Sequence, residues 1–311
     1  MAASMGFDEV RQGQLGIIVT EAARNIAIHA DHGEIILSPW NFAGIAGIDV
    51  FAIDKGQGIH DISRSMQDGY STAGTSGQGL GAMSRLAGTF QIYSSPGEGT
   101  AIFARVLKNA QSSDEDADGY QTSAISLPIS GETVCGDAWS SESRPERSVY
   151  IVADGLGHGP TAAEAAREAV RIFHQTAECS PSRIMSEIHL ALAKTRGAAV
   201  AIAEILYEKG VLNYVGAGNI VAAITSGGKT RSLVSMNGTV GHTIAKLQQF
   251  SYPWEPKSSL IMHSDGLATR WNLEQYPGLS LRHPALMAAV LYRDFCRKRD
   301  DATILVSRGI L

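Results

Sequence analysis

Cysteine is scarce in this chain of 311 residues, with only Cys135, Cys179 and Cys296. An odd, scattered set of three cannot build a disulfide framework. No apolar run approaches the ~18 residues that would span a bilayer. The net charge is −5, with no block of lysines and arginines, so neither nucleic acid nor an anionic membrane is an expected partner. The opening Met1-Ala-Ala-Ser-Met-Gly-Phe-Asp has no basic segment followed by an apolar stretch and does not read as a signal peptide. No internal repeat is visible. Charged residues at 18% and hydrophobic ones at 44% describe an ordinary globular protein long enough for about two cores, and a cytoplasmic location is expected.

Apolar residues at helical spacing (Val10, Ile17, Ile18, Ala22, Ile26, Ile28) predict a helix over 8–30, with Asp8 as N-cap and His32-Gly33 as its end. Strands are expected at Glu34–Leu37, Gly47–Ile53, Phe90–Tyr93 and Thr100–Val106, and a short helix at Gly81–Ala87. The glycine-rich stretch 69–81 reads as loop. Residues 109–121 are acidic and poor in apolar side chains, as a solvated linker is. They divide a first domain (1–108) from a second (122–311). In the second, strands are expected at 149–153, 198–205, 211–215, 220–225, 260–263 and 303–306. Two helices, 161–175 and 182–194, sit together among them, an α+β rather than an alternating order.

Each half carries a candidate site. In the first, Glu21 and Asn25 are four apart and share a helix face with Ile17, Ile18 and Ala22, which ought to be buried. They read either as a surface pair bonded to loop backbone or as a general base with a magnesium ligand. Asp54 ends a strand and is followed by Gly56 and Gly58. A carboxylate there can accept from an adenine amino group while the glycines admit the base, although turns after strands often look the same. The run ending in Gly77, Gly79 and Gly81 before a helix offers N–H groups to phosphates, or is a plain loop.

In the second half, Asp154, Asp265 and Asp300 each stand next to a predicted strand, and Asp137 follows a glycine in Gly131-Glu-Thr-Val-Cys-Gly-Asp137. Singly each is a common turn former; together, at strand ends, they can converge on one rim of a sheet. An all-oxygen set suits Mg²⁺ or Mn²⁺ rather than zinc.

Two families share these residues. Residues 6–106 resemble the GHKL ATPases, and within them the bacterial serine kinases of partner switching, in particular the switch kinase of the stressosome. Glu21-Ala-Ala-Arg24-Asn25-Ile, Asp61 through Gly69 to Thr72, and Pro96-Gly-Glu-Gly99-Thr100 carry the likeness. It implies Glu21 as catalytic base, Asn25 on magnesium, Asp54 on adenine with Thr100 beside it, and Gly77 to Gly81 as the phosphate lid. Arg24 is either a contact to the terminal phosphate or simply an exposed arginine. Residues 122–311 resemble the metal-dependent (PPM) serine/threonine phosphatases, in the compact bacterial branch that includes the sporulation phosphatase. Asp154-Gly-Leu-Gly-His-Gly159, Gly216-Ala-Gly-Asn219, Ser264-Asp-Gly266 and Asp300-Asp-Ala-Thr303 follow in that family's order. The likeness implies two metals held by Asp137, Asp154, Asp265, Asp300 and the Gly155 carbonyl, with Asp154 and Asp265 at the centre of catalysis. Asp300 is taken over Asp301 on motif alignment alone. His158 is read as support for the turn, and Cys135 stands where glycine is common.

The expected architecture is α+β: a GHKL (Bergerat-type) sandwich lacking its first strand and helix, then a PPM-type β-sandwich flanked by helices. The expected protein both adds and removes phosphate on small STAS-type switch proteins, using ATP with Mg²⁺ in one half and two Mn²⁺ or Mg²⁺ in the other. A sigma factor or a stressosome-type complex stands among the implied partners. The incomplete first sheet is expected to self-associate or be covered by a partner, and to be a weak kinase alone. The alternatives are a first half that binds ATP and sequesters a partner without transferring phosphate, and one that only regulates the phosphatase.

Overall fold

A computed structural model describes residues 1–42, 45–67, 79–109, 120–244 and 246–309. The chain opens with α1 (Glu9–His29), β1 (Gly33–Phe42), β2 (Ile45–Asp54), α2 (Ile62–Ser65), α3 (Gly79–Leu86), β3 (Thr89–Ser95) and β4 (Gly99–Leu107). It continues with β5 (Tyr120–Leu127), β6 (Asp137–Arg144), β7 (Arg147–Gly155), α4 (Pro160–Thr176), α5 (Pro181–Ala191), β8 (Ala198–Leu206), β9 (Val211–Ala217) and β10 (Val221–Ser226). Then follow β11 (Lys229–Ser232), β12 (Phe250–Pro253), β13 (Ser259–His263), α6 (Pro284–Phe295) and β14 (Ala302–Gly309). These form two compact units: Met1–Asp116 with Ala285–Arg293, and Ala117–Pro284 with Asp294–Leu311. Of the expected linker, residues 110–119 lie outside the described residues, and Tyr120-Gln121 already pair in β5.

The first unit is a four-stranded antiparallel sheet, order β1-β2-β4-β3, with α1 and α3 on one face. Asp8 does cap α1: its Oδ1 accepts from Arg11 N at 2.7 Å, a contact typically worth ~1 kcal/mol. The buried stripe of α1 is Leu15, Ile18 and Ala22, which meets Ile48, Val50, Ala52, Ile102, Ala104 and Val106. Ile17 is 48% exposed, because it lies about 100° around the helix from Ile18. The expectation that Ile17 shares the buried face is therefore corrected. The β1–β2 hairpin pairs Gly33 with Asp54 through to Phe42 with Ile45, longer than the apolar runs alone predict. Pro39 is tolerated because β1 is an edge strand.

The other phase of this sheet is buried as well. Asp49, Phe51, Phe103 and Arg105 are each at most 3% exposed. Arg105 donates from Nε and Nη2 to the two oxygens of Asp49 at 2.5 and 2.8 Å, and its guanidinium stacks 3.8 Å from the Trp40 ring centroid. A charge on both strands at buried positions breaks the plain in-out alternation that one solvated face would produce. Asp49→Ala should destabilise this unit by about 3–5 kcal/mol, since it strips a buried guanidinium of its carboxylate; urea unfolding followed by Trp fluorescence reads it. The segment Ala285–Arg293 belongs to this unit too. Tyr292 donates its hydroxyl to Glu34 at 3.2 Å, and Arg293 Nη1 donates to the Asp54 carbonyl at 3.3 Å.

In the second unit the described strands form two antiparallel five-stranded sheets, β11-β10-β13-β14-β5 and β12-β9-β8-β7-β6. A core containing Tyr150, Val152, Ala201, Ala203, Tyr214, Ile224, Leu260, Met262 and Leu305 draws on both. The opposite face of the β7–β8–β9 sheet packs Val149, Ile151, Val200 and Ile202 on Ala166, Ala169, Phe173 of α4 and Ile184, Ile188 of α5. Alanines on α4 let it approach closely enough that its first turn lies on Gly155. A Cβ built there would stand 2.0 Å from the Ala162 carbonyl oxygen. β6 carries few apolar residues, those of β5 do not alternate, and α6 has no polar face, which is why periodicity did not reveal them.

Candidate functional site

In the first unit the C-terminal half of α1 faces the first turn of α3. A Cβ at Gly79, the first residue of α3, would stand 2.7 Å from Glu21 Oε2 and 3.7 Å from Asn25 Oδ1. A side chain there would displace the Glu21 carboxylate from its present position. One residue further along α1, Ile26 packs on Gly33, whose own Cβ position is 3.2 Å from the Asp54 Cβ. The Asp54 carboxylate is oriented by main chain: Oδ1 accepts from Gly56 N at 2.8 Å and from Thr100 N at 3.2 Å. No hydrogen bond to Oδ2 is made among the described residues.

Glycines allow the strands to crowd this carboxylate. At Gly58 (φ 69°) and Gly99 (φ 82°), an added Cβ would meet the Ser95 and Asp54 carbonyl oxygens at 2.1 and 2.0 Å. Ser94 ties the corner together. Its Oγ accepts from Ile59 N at 2.8 Å, donates to Gly99 O at 2.9 Å and sits 2.9 Å from Thr100 Oγ1. Thus Glu21, Asn25 and Gly79 meet between α1 and α3, Asp54, Gly56 and Thr100 meet at the end of β2, Gly58 lies against Ser95, and Gly81 is buried in α3. Gly77, like Gly69 and Thr72, lies outside the described residues. Arg24 is exposed.

The second unit gathers five aspartates. Asp137 and Asp154 are direct cross-strand partners on β6 and β7, an arrangement that repels unless a cation intervenes. Asp137 is 6% exposed; its Oδ2 accepts from Ser264 Oγ at 2.7 Å, and its Oδ1 is buried with no hydrogen-bond partner. Burial, then the neighbouring aspartates, pushes the Asp154 pKa well up. Burial likewise raises that of Asp137 against the Ser264 hydrogen bond, and burial also raises that of Asp300.

Asp265 accepts from Asn219 Nδ2 at 2.7 Å. The two C-terminal candidates behave differently. Asp301 is 2% exposed and accepts Ile129 N and Gly136 N at 2.8 and 2.9 Å, one on each oxygen. Asp300 accepts from Asp301 N at 2.9 Å and is more open. Close approach is again licensed by glycine. A Cβ on Gly136 would stand 2.6 Å from Asp301 Oδ2, and one on Gly266 would stand 2.0 Å from Asp301 O.

No three His, Cys, Asp or Glu side chains among the described residues already stand in a coordination sphere. The same groups are nonetheless near enough to raise one another's pKa values. An unpartnered buried carboxylate oxygen beside three or four acidic neighbours is what a divalent cation would satisfy. The donor set fits a hard metal.

Sequence reasoning passed over three contributors. Glu132 accepts from His158 Nδ1 at 2.8 Å and sits 3.1 Å from where a Gly159 Cβ would be, at the start of α4. Ser264 orients Asp137, a role its place directly before Asp265 could have hinted at. His263 is wholly buried between Trp271 and Ser264, and no spacing signals it.

The sequence profile of the Stage II sporulation protein E (SpoIIE) family matches residues 144–309. Serine/threonine-protein kinase RsbT of Bacillus subtilis (strain 168) is 39% identical over 104 residues, 33% of this chain and 78% of RsbT. Among solved structures, RsbX in complex with magnesium superposes with a TM-score of 0.55 at 23% identity, covering 61% of this chain and 94% of RsbX. The phosphatase domain and regulatory fragment of SpoIIE from Bacillus subtilis superposes at 0.53 with 17% identity, over 96% of this chain and 90% of that one. At these identities the structures speak for a shared phosphatase fold.

Proposed function

The chain belongs to the Stage II sporulation protein E (SpoIIE) family and carries an N-terminal homologue of the kinase RsbT; from that premise we propose that it is a partner-switching regulator with two opposed activities. The second unit hydrolyses phosphoserine or phosphothreonine, and the first transfers phosphate from ATP to the same class of hydroxyl. The observation that carries this reading is the facing pair Asp137 and Asp154, with a buried carboxylate oxygen left unpartnered.

Asp137, Asp154, Asp265, Asp300 and the Gly155 carbonyl would hold two Mg²⁺ or Mn²⁺. When bound, such ions polarise the phosphoryl group and lower the pKa of water. The chain's own work is orientation. Ser264 turns Asp137, Asn219 turns Asp265, and Asp301 braces the 129–136 loop that leads into Asp137. In the first unit, Asp54 Oδ2 is left to accept the adenine amino group, because Oδ1 is held by Gly56 and Thr100. Asn25 would hold the nucleotide's Mg²⁺, and Glu21 would accept the proton of the attacking serine or threonine hydroxyl. Small STAS-type switch proteins are the proposed substrates. No helix among the described residues is long and apolar enough to cross a membrane, and a cytoplasmic site of action is part of the proposal.

Incubating the protein with a STAS-domain protein, ATP and Mg²⁺, then with the phosphorylated form and Mn²⁺, should show an 80 Da gain and its loss by mass spectrometry. ATP binding with no gain on any such substrate would leave the first unit as a sequestering module. His158 is exposed and held by Glu132 at the start of α4. His158→Ala should lower phosphatase turnover only several-fold (~1 kcal/mol); a drop matching that of an Asp154 variant would give it a direct part in the chemistry.

A further inference from the structure

A buried histidine and a half-buried tryptophan lie behind the aspartates, and the proposed reaction has no use for either. His263 ends β13 and is 0% exposed. Trp271 Nε1 donates to His263 Nε2 at 3.0 Å, with the two rings edge to face. An indole N–H can only donate, so Nε2 carries no proton and the ring's single proton sits on Nδ1. Nδ1 is 2.8 Å from the Ser264 carbonyl oxygen, the acceptor this tautomer requires.

Ser264 is held on every side. Its N–H donates to Thr303 O at 3.0 Å, and its Oγ accepts from Thr303 N at 3.0 Å. Its hydroxyl then has one proton to give, and it gives it to Asp137 Oδ2 at 2.7 Å. With Oδ2 so engaged, the oxygen of Asp137 that remains unpartnered is Oδ1. The next residue in the chain is Asp265, so the peptide fixed by His263 also sets where that carboxylate begins.

We infer that Trp271 and His263 are positioning residues for the metal site: the indole selects the imidazole tautomer, the imidazole clamps the Ser264–Asp265 peptide, and Ser264 presents Asp137 Oδ1 to the cation. This inference rests on the phosphatase reading of the second unit. Partners of this kind act on ligand orientation more than on folding, and removing one typically costs about 10–100-fold in metal affinity.

The test is Mn²⁺ binding by calorimetry on the full chain without substrate, beside Mn²⁺-dependent turnover. Trp271→Phe keeps the ring and deletes the donor. It should raise the Mn²⁺ dissociation constant about tenfold, leave turnover at saturating Mn²⁺ within about twofold, and leave the metal-free unfolding midpoint nearly unchanged. His263→Asn, whose amide can stand in for Nδ1–H, should keep more of the affinity than His263→Leu, which cannot donate. NMR of the wild type should show His263 protonated at Nδ1, with mixed tautomers in Trp271→Phe. Wild-type Mn²⁺ affinity in Trp271→Phe would overturn the inference and leave the phosphatase reading standing. Failure of the wild type to bind Mn²⁺ would overturn both. Equal loss of affinity and of metal-free stability in Trp271→Phe would overturn it as well, by reducing the pair to packing.

Discussion

Replacing Asp154 by asparagine should abolish phosphatase activity and at the same time stabilise the metal-free protein. The two effects have one cause. Asp154 is half-buried, faces Asp137 directly across the strands, and has Asp265, Asp300 and Asp301 near enough to raise its pKa. Removing one charge from such a group relieves repulsion that a bare fold must bear, so the unfolding midpoint without metal should rise. The same change removes a carboxylate that the proposed ions share. Their charge stabilisation is worth several kcal/mol, and about 4 kcal/mol corresponds to roughly a thousandfold in rate. Turnover of a phosphoserine peptide in Mn²⁺ should therefore fall by about that factor, as should wild-type turnover after EDTA. Asp154→Ala should match the loss of turnover. Activity that survives in EDTA, or in Asp154→Asn with a raised midpoint, would disprove the metal site.

Asp54→Asn should weaken ATP binding by about ten- to a hundredfold, the range expected for a hydrogen bond to a charged group at about 1.5–3 kcal/mol. An asparagine oxygen can still accept from Gly56 N and Thr100 N, which hold Oδ1 now. The amide nitrogen would then replace Oδ2 and present a donor to the adenine amino group, itself a donor. Glu21→Gln should behave in the opposite way, with ATP bound almost as tightly and phosphate transfer lost, because a base acts in the chemical step. Calorimetry with a non-hydrolysable ATP analogue separates the two. Equal affinity in wild type and Asp54→Asn would remove the pocket as drawn. Undiminished transfer in Glu21→Gln would take the base role from Glu21 while leaving the pocket intact.

Much of the molecule was legible in one dimension because its signals are local. Asp8 before an apolar helix is a cap wherever the helix goes, and in the structure its Oδ1 accepts from Arg11 N. Strands such as Val149–Ala153 and Ala198–Ile205 are continuous β-prone runs, and they lie within β7 and β8. The glycines beside the aspartates were visible too, as turn formers and, for Gly155, as a carbonyl ligand that the resemblance implies. Their structural reason is that Gly136 and Gly266 admit atoms of Asp301, and Gly155 the carbonyl of Ala162, closer than any side chain would allow.

What the tertiary structure alone decided are relations between residues far apart in the chain. Nothing local says that Asp301 turns inward to bind Ile129 and Gly136 while Asp300 stays more open, since the two are neighbours with identical side chains. The register of β6 on β7 sets Asp137 against Asp154, and a slip of one residue would send one of them to the other face. Residues Ala285–Arg293 join the first unit from the far end of the sequence, with no periodicity to announce it. A helix buried on all sides has no polar face to read. His263 and Trp271 are eight positions apart, and only the fold brings indole to imidazole. Sequence pattern reports which residues share an element and a face, because backbone geometry is periodic. Which faces meet, and which of two like side chains meets the ion, depends on packing that has no period.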